Sequence, residues 1–188
     1  MKKIILGITG ASGAIYAKRF IEHTHQVCEL HVIYSRTAPV VFSEELDLDI
    51  SQFLSSFPDV KIHERSNFLS PVASGSNPFD AYIVMPCSMK TLGQIRAGVG
   101  ENLITRVGDI ALKERRPLIL VPREAPLSSV HLENMLRISD LGGMIVPASP
   151  GFYHRPESLI DLVDFIIERV ARLAQINLGI VKPWKSED

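Results

Sequence analysis

Arg123 and Glu124 stand side by side between Pro122 and Pro126, after the apolar run 118–121 and before a helix-like stretch at 128–141. Proline fixes φ, removes a backbone donor and pushes the residue before it towards extended geometry. The pair therefore sits where a buried strand should end. In open α/β sheets, ligands bind in the crevice outside the carboxyl ends of the strands. A cation beside an acid in that place suits an anionic ligand and a proton transfer. A surface turn carrying an ion pair is the alternative reading of the same residues.

Two further strand-to-helix crossings carry glycine or hydroxyl groups. The first strand runs into Gly7-Ile8-Thr9-Gly10-Ala11-Ser12-Gly13, and a helix follows. Glycines let the backbone approach a ligand, and a helix N-terminus favours an anion, so a nucleotide or flavin phosphate is expected. Ser12 as a plain helix cap is the alternative. Many NAD(P)-binding domains open in this way. Here, however, the second strand ends in Tyr34-Ser35-Arg36, with no acid for a ribose, although Arg36 suits a 2′-phosphate. The third strand ends in Met85-Pro86-Cys87-Ser88-Met89-Lys90-Thr91. Ser88 and Thr91 suit a phosphate or the polar edge of a flavin ring, or else cap the helix.

The helix expected at 103–113 sets Arg106, Asp109 and Lys113 on one face, with the cations roughly 10 Å apart along the axis. They bind phosphate with help from subunit contacts, or form an exposed stripe bridged by Asp109. The segment 150–156, with Tyr153 and Arg155 between Pro150 and Pro156, precedes a last helix at 157–174 that is apolar nearly all round. Such a helix is buried, in the core or against another subunit. Arg169 inside it then needs a partner, because an unpaired buried charge is costly. The histidines show no metal-ligand spacing, so no metal is expected. Neither a Gly-x-Ser-x-Gly elbow nor a Walker loop is present, which leaves hydrolase and NTPase readings without support.

These groups need a scaffold to hold them. The chain has 188 residues, 46% of them hydrophobic, enough for one domain with a substantial core. Its formal charge of −1, from 20 basic and 21 acidic residues, gives no reason to expect nucleic acid or an anionic membrane as partner. Cys28 and Cys87 read as reduced, buried cysteines of a cytosolic protein. The N-terminus goes straight into a strand, unlike a signal peptide, and no apolar run reaches about 18 residues, so no spanning helix is expected. Strands are expected at 3–8, 29–34, 81–85, 118–121 and 144–146. Helices are expected at 13–23, 38–46, 92–98, 103–113, 129–141 and 157–174. This alternation implies an α/β fold with a mostly parallel sheet and helices on both faces. Residues 59–78 read as a long connection with one short edge element. Asn102 suits an N-cap, Pro156 the first turn of the last helix, and Gly142-Gly143 a helix end.

Assembled in this order, the stretches 7–16, 86–92, 112–126, 128–135 and 150–156 resemble those of the flavin prenyltransferases, the UbiX family. The resemblance covers nearly the whole chain. It implies a Rossmann-like, flavoprotein-type three-layer domain over residues 1–188, with a polar tail from about 182, that is cytoplasmic and assembles into a homo-oligomer, usually a dodecamer. It implies joining a dimethylallyl group, from dimethylallyl phosphate or pyrophosphate, to N5 of reduced FMN and closing a ring at C6 without a metal. The product would serve a UbiD-type decarboxylase. Carried over by position, Thr9, Gly10, Ala11, Ser12, Ser35, Ser88, Met89, Thr91 and Arg123 look like FMN contacts. Ser74, Arg106, Lys113, Tyr153, Arg169 and Trp184 look like the prenyl-phosphate pocket. Glu124, Glu45, Ser12 and Lys113 look like the groups that act on the reaction. The alternatives are a flavin-dependent decarboxylase of related fold, a non-catalytic FMN carrier and an NAD(P) oxidoreductase. The decarboxylases carry a Pro-Ala-Ser-Ala-Asn-Thr-like stretch where this chain has Pro86-Cys87-Ser88-Met89-Lys90-Thr91.

Overall fold

Six strands pair in the order β3-β2-β1-β4-β5-β6, and every pairing is parallel. The strands are β1 (Lys2–Ile8), β2 (Cys28–Tyr34), β3 (Lys61–His63), β4 (Ala81–Cys87), β5 (Leu118–Pro122) and β6 (Met144–Ile145). The helices are α1 (Ala14–Thr24), α2 (Ala38–Leu46), α3 (Ile50–Ser55), α4 (Met89–Arg96), α5 (Leu103–Lys113), α6 (Ser129–Asp140) and α7 (Leu159–Leu173). The computed structural model describes residues 1–181.

The central strands are near-continuous apolar runs because both faces of a parallel sheet are covered. On one face Ile4, Leu6 and Ile8 of β1 pack with Phe20 and Ile21 of α1 and Ile166 and Val170 of α7. On the other, Ile5 joins Val84, Leu120 and the Val107 and Ile110 stripe of α5. The alternation of side chains along each strand thus feeds two cores. Cys28 and Cys87 are both buried and free, and burial pushes the Cys28 thiol up to about 11.

Several boundaries differ from the sequence expectation, each for a local reason. Helix α4 starts at Met89, three residues before the expected Leu92, because Ser88 Oγ accepts from Thr91 N–H at 3.3 Å and caps it. Helix α7 starts at Leu159 behind a Ser158/Asp161 capping box, so Pro156 lies ahead of the helix rather than in its first turn. Helix α3 was not expected; Asp49 caps it by accepting from Gln52 N–H at 2.8 Å. The Asn102 cap is present, accepting from Ile104 and Thr105 N–H. Gly142 and Gly143 close α6 through bonds to the Ser139 and Ile138 carbonyls.

Helix α7 is also less buried than its composition suggests. Val163, Ile166, Ile167 and Val170 face the core, whereas Leu159 is 67% exposed. Arg169 points to the exposed side, so the core of this chain does not bury it. The buried charge is its neighbour Glu168, whose carboxylate accepts from Arg172 Nε at 2.5 Å and from Ile180 N–H at 3.0 Å.

Candidate functional site

The sheet order reverses between β1 and β4, and the crevice outside their carboxyl ends is the expected ligand position in a doubly wound sheet. A cavity of about 370 Å³ opens there, lined by Thr9 and Gly10 after β1, Ser35, Arg36 and Thr37 after β2, and Ser88, Lys90 and Thr91 after β4. Thr9 ties two of the loops together. Its Oγ1 donates to the Pro86 carbonyl at 2.7 Å and accepts from Ser88 N–H at 2.9 Å. Gly10 permits close packing, because a Cβ there would lie 2.0 Å from Thr37 Oγ1. Ser88 Oγ donates to Thr91 Oγ1 at 3.0 Å while capping α4. Helix capping and a place in the cavity are therefore compatible roles for these hydroxyls. The first-turn N–H groups of a helix have no intrahelical acceptor, and those of α4 begin at this cavity.

The glycine loop behaves differently. Gly13 adopts φ +110°, a left-handed conformation open to glycine, and provides no side-chain cap. Ser12 is not the cap either. Glu45, arriving from α2, accepts from Gly13 N–H and Ala14 N–H, both at 2.9 Å. Burial works to raise the Glu45 carboxyl. Hydrogen bonds from Ser12, Gly13 and Ala14, with Arg123 nearby, outweigh it and hold the group below the usual carboxylate range. Arg123 Nε donates to the Ser12 carbonyl at 3.4 Å. Ser12, Glu45 and Arg123 thus meet from three separate segments.

Arg123 and Glu124 do not pair with each other. Glu124 Oε1 accepts from Ala125 N–H at 3.1 Å, and the peptide bonds before Pro86 and Pro126 are cis. Ala11 and Met89 are buried and do not line this cavity, although each is next in sequence to a residue that does.

Two of the expected cations, Arg106 and Lys113, border the same 73–75 segment, where a Cβ at Gly75 would lie 3.2 Å from Lys113 Nζ. Arg106 pairs with Asp109 at 2.8 Å and donates from Nε to the Ala73 carbonyl at 3.3 Å, beside Ser74. Lys113 pairs with Glu114 at 2.9 Å instead of Asp109. Asn102, at the start of α5, lines the cavity, and Lys113, at the far end, is roughly 16 Å away along the axis. Tyr153 lies edge-on to Phe165 at 5.5 Å and is 49% exposed. Trp184 lies outside the described residues. Thr37, Arg65, Gln94 and Glu101 also line the cavity and were missed from the sequence. Arg65 arrives because β3 pairs with β2 and because Leu103 N–H donates to the Arg65 carbonyl at 2.8 Å. Nothing local in residues 59–78 announces that placement.

The reversed sheet order and hydroxyl-rich loops define a flavoprotein-type α/β protein, and residues 1–171 match the family model described as Flavoprotein. The chain is 48% identical over 182 residues to the flavin prenyltransferase UbiX of Methanocaldococcus jannaschii, covering 97% of this chain and 98% of that one. Among solved structures it is similar to AnUbiX in complex with FMN and dimethylallyl pyrophosphate, with a TM-score of 0.94, 36% identity and coverage of 100% and 99%. It is also similar to a dodecameric FMN-dependent UbiX-like decarboxylase from Escherichia coli O157:H7, with a TM-score of 0.93, 36% identity and coverage of 99% and 100%. The chain belongs to the UbiX family of flavin prenyltransferases and is a transferase.

Proposed function

We propose that this chain joins a dimethylallyl group, from dimethylallyl monophosphate or pyrophosphate, to N5 of reduced FMN and closes a ring at C6. The prenylated FMN would go to a UbiD-type decarboxylase. The observation that carries this is the hydroxyl-lined cavity at the switch point, whose Gly10 belongs to the loop that Glu45 and Arg123 contact at Gly13 and Ser12, in a chain so similar to flavin prenyltransferases. Thr9, Ser35, Ser88 and Thr91 offer hydroxyls, and the N-terminus of α4 favours an anion, so the cavity fits the ribityl chain and phosphate of FMN. The backbones of Gly10, Ala11 and Met89 complete that set, with Arg123 at the flavin's flank.

Breaking the allylic C–O bond leaves an anionic phosphate. Arg106, Lys113 and Arg169, with Ser74 and Tyr153, hold it where the charge develops. Prenylation at C6 releases a proton, and Glu124 and Glu45, or the departing phosphate, take it up. Arg106 and Lys113 keep much of their side chains exposed, and neighbouring copies complete the site there in a homo-oligomer, a dodecamer. Val130, Leu132 and Leu136 lie exposed on α6, and they supply apolar surface for such contacts. Residues 1–188 act as one unit, in the cytoplasm. Among the described residues no helix is long and apolar enough to cross a membrane.

Anaerobic incubation with reduced FMN and dimethylallyl monophosphate, with the pyrophosphate in parallel, should yield a flavin heavier by one C5 unit. Unmodified FMN in both, from folded and flavin-loaded protein, would favour the carrier or the decarboxylase. Lys113→Ala should lower turnover by about 10²-fold with flavin still bound; unchanged turnover would remove Lys113 from the reaction.

A further inference from the structure

The hydroxyl-lined cavity has a neighbour. A second cavity, about 460 Å³, continues between the ends of β2 and β3, and Ser35, Arg36 and Arg65 line both. That volume is within the range of small-molecule sites. Tyr34, Pro39 and Ile62 give it flat or apolar surface, and Glu64 and Ser66 give it polar groups. Arg36 and Arg65 stand at the neck between the two cavities. Both are exposed, and among the described residues neither has an acidic partner. Glu64, adjacent to Arg65 in sequence, accepts from the Ser66 hydroxyl instead. Guanidinium groups are well matched to phosphate oxygens.

The wall of this second cavity is fixed. His63 is held at both ring nitrogens, Nε2 to His31 Nδ1 at 2.7 Å and Nδ1 to Ser70 Oγ at 2.7 Å. His31 is held in turn by Glu29 at 3.1 Å. A wall already held in place costs little ordering when a ligand binds. Two contiguous cavities meeting at two unpaired arginines suit a ligand with phosphates in its middle and a flat group at each end.

We propose that the second cavity takes the adenosine monophosphate half of a flavin dinucleotide, so that this chain holds FAD as well as FMN. The flavin-side phosphate stays at the N-terminus of α4, the second phosphate lies at Arg36 and Arg65, which line both cavities, the adenine lies against Tyr34, Pro39 and Ile62, and Glu64 accepts from the ribose hydroxyls. The inference rests on the flavin occupying the first cavity. Arg36 thereby serves a diphosphate rather than the 2′-phosphate of a nicotinamide cofactor.

The test is calorimetric titration of the flavin-free, full-length protein with FMN and with FAD. FAD should bind at least as tightly as FMN. Ile62→Trp fills only the second cavity, from an edge-strand position that is 47% exposed. It should weaken FAD about tenfold while moving FMN by less than about twofold. Glu64→Ala should change the same ratio in the same direction without adding bulk. FAD binding about tenfold weaker than FMN in the unmodified protein, or Ile62→Trp weakening both alike, overturns the proposal. If FMN fails to bind as well, the flavin site itself is wrong, and that result is distinguishable from a failure of the second cavity alone.

Discussion

The β1–α1 and β4–α4 crossings look alike in sequence, each an apolar strand followed by small or hydroxyl residues and then a helix. In the structure they do opposite things. The N-terminus of α1 already holds an anion, the Glu45 carboxylate bonded to Gly13 and Ala14 N–H. The N-terminus of α4 is capped by Ser88, a neutral hydroxyl, and opens into the cavity. Both satisfy the same requirement, that donors at a helix start find acceptors. Only the second keeps its positive end for a ligand. A glycine loop is therefore not enough to locate a phosphate; what the rest of the fold brings to the loop decides.

The largest expected effect separates chemistry from binding at the first crossing. Glu45→Gln keeps a carbonyl oxygen for Gly13 and Ala14 N–H but cannot take up a proton as a carboxylate does. Turnover should fall about 10²-fold, with FMN affinity changed by less than about twofold, measured by product mass and by titration on the same preparation. A loss of FMN affinity equal to the loss of turnover would mean that Glu45 organises the flavin site. At the second crossing the order should invert. Ser88→Ala should weaken FMN about tenfold and riboflavin much less, because riboflavin lacks the phosphate. Equal weakening of both would move the phosphate away from α4.

A smaller effect asks whether the two helix ends are interchangeable. Glu45→Ala exposes the donors of α1, so added sulfate should stabilise that variant by about 1 kcal/mol, a few degrees in the unfolding midpoint. The unmodified protein should gain less at this site, since its own carboxylate occupies it. An identical sulfate response in both proteins would mean that α1 holds no anion site for Glu45 to fill.

The pattern of apolar runs was enough to place five strands and the parallel architecture, because a sheet buried on both faces writes its strands as continuous hydrophobic stretches. Lys61–His63 is the short edge element expected within 59–78; with only three residues, two of them exposed, it carries too little apolar signal to fix its type or bounds. Arg169 lies on the exposed side of α7, which has one buried stripe within the chain; of the two expectations, core or another subunit, the core holds only that stripe. At the site, the hydroxyls after β1, β2 and β4 were legible because they directly follow their strands. Glu45 was suspected only through family resemblance, and its contact with Gly13 spans 32 residues. That contact depends on how α2 packs beside α1, which no local pattern records.

The smallest expected effect is the pH response of the two crossings. The Glu45 carboxyl is held below its ordinary value in the folded chain, so the folded state binds that proton less readily than the unfolded chain does. Its contribution to stability is thus fully present above the unfolded value, about 4.3, and is lost as pH falls through the lower folded value. The side chain is largely exposed, so solvent screening keeps the contribution modest. Glu45→Gln should flatten the acid limb of the stability curve below about pH 4.3 and leave the slope above it unchanged. Ser88→Ala should shift the whole curve down without changing that slope, because a hydroxyl cap does not titrate there. Chemical denaturation at closely spaced pH values, with both variants in parallel, reads the difference directly. An acid limb that survives Glu45→Gln unchanged would place the titrating group elsewhere and leave the two helix ends alike in their response to pH.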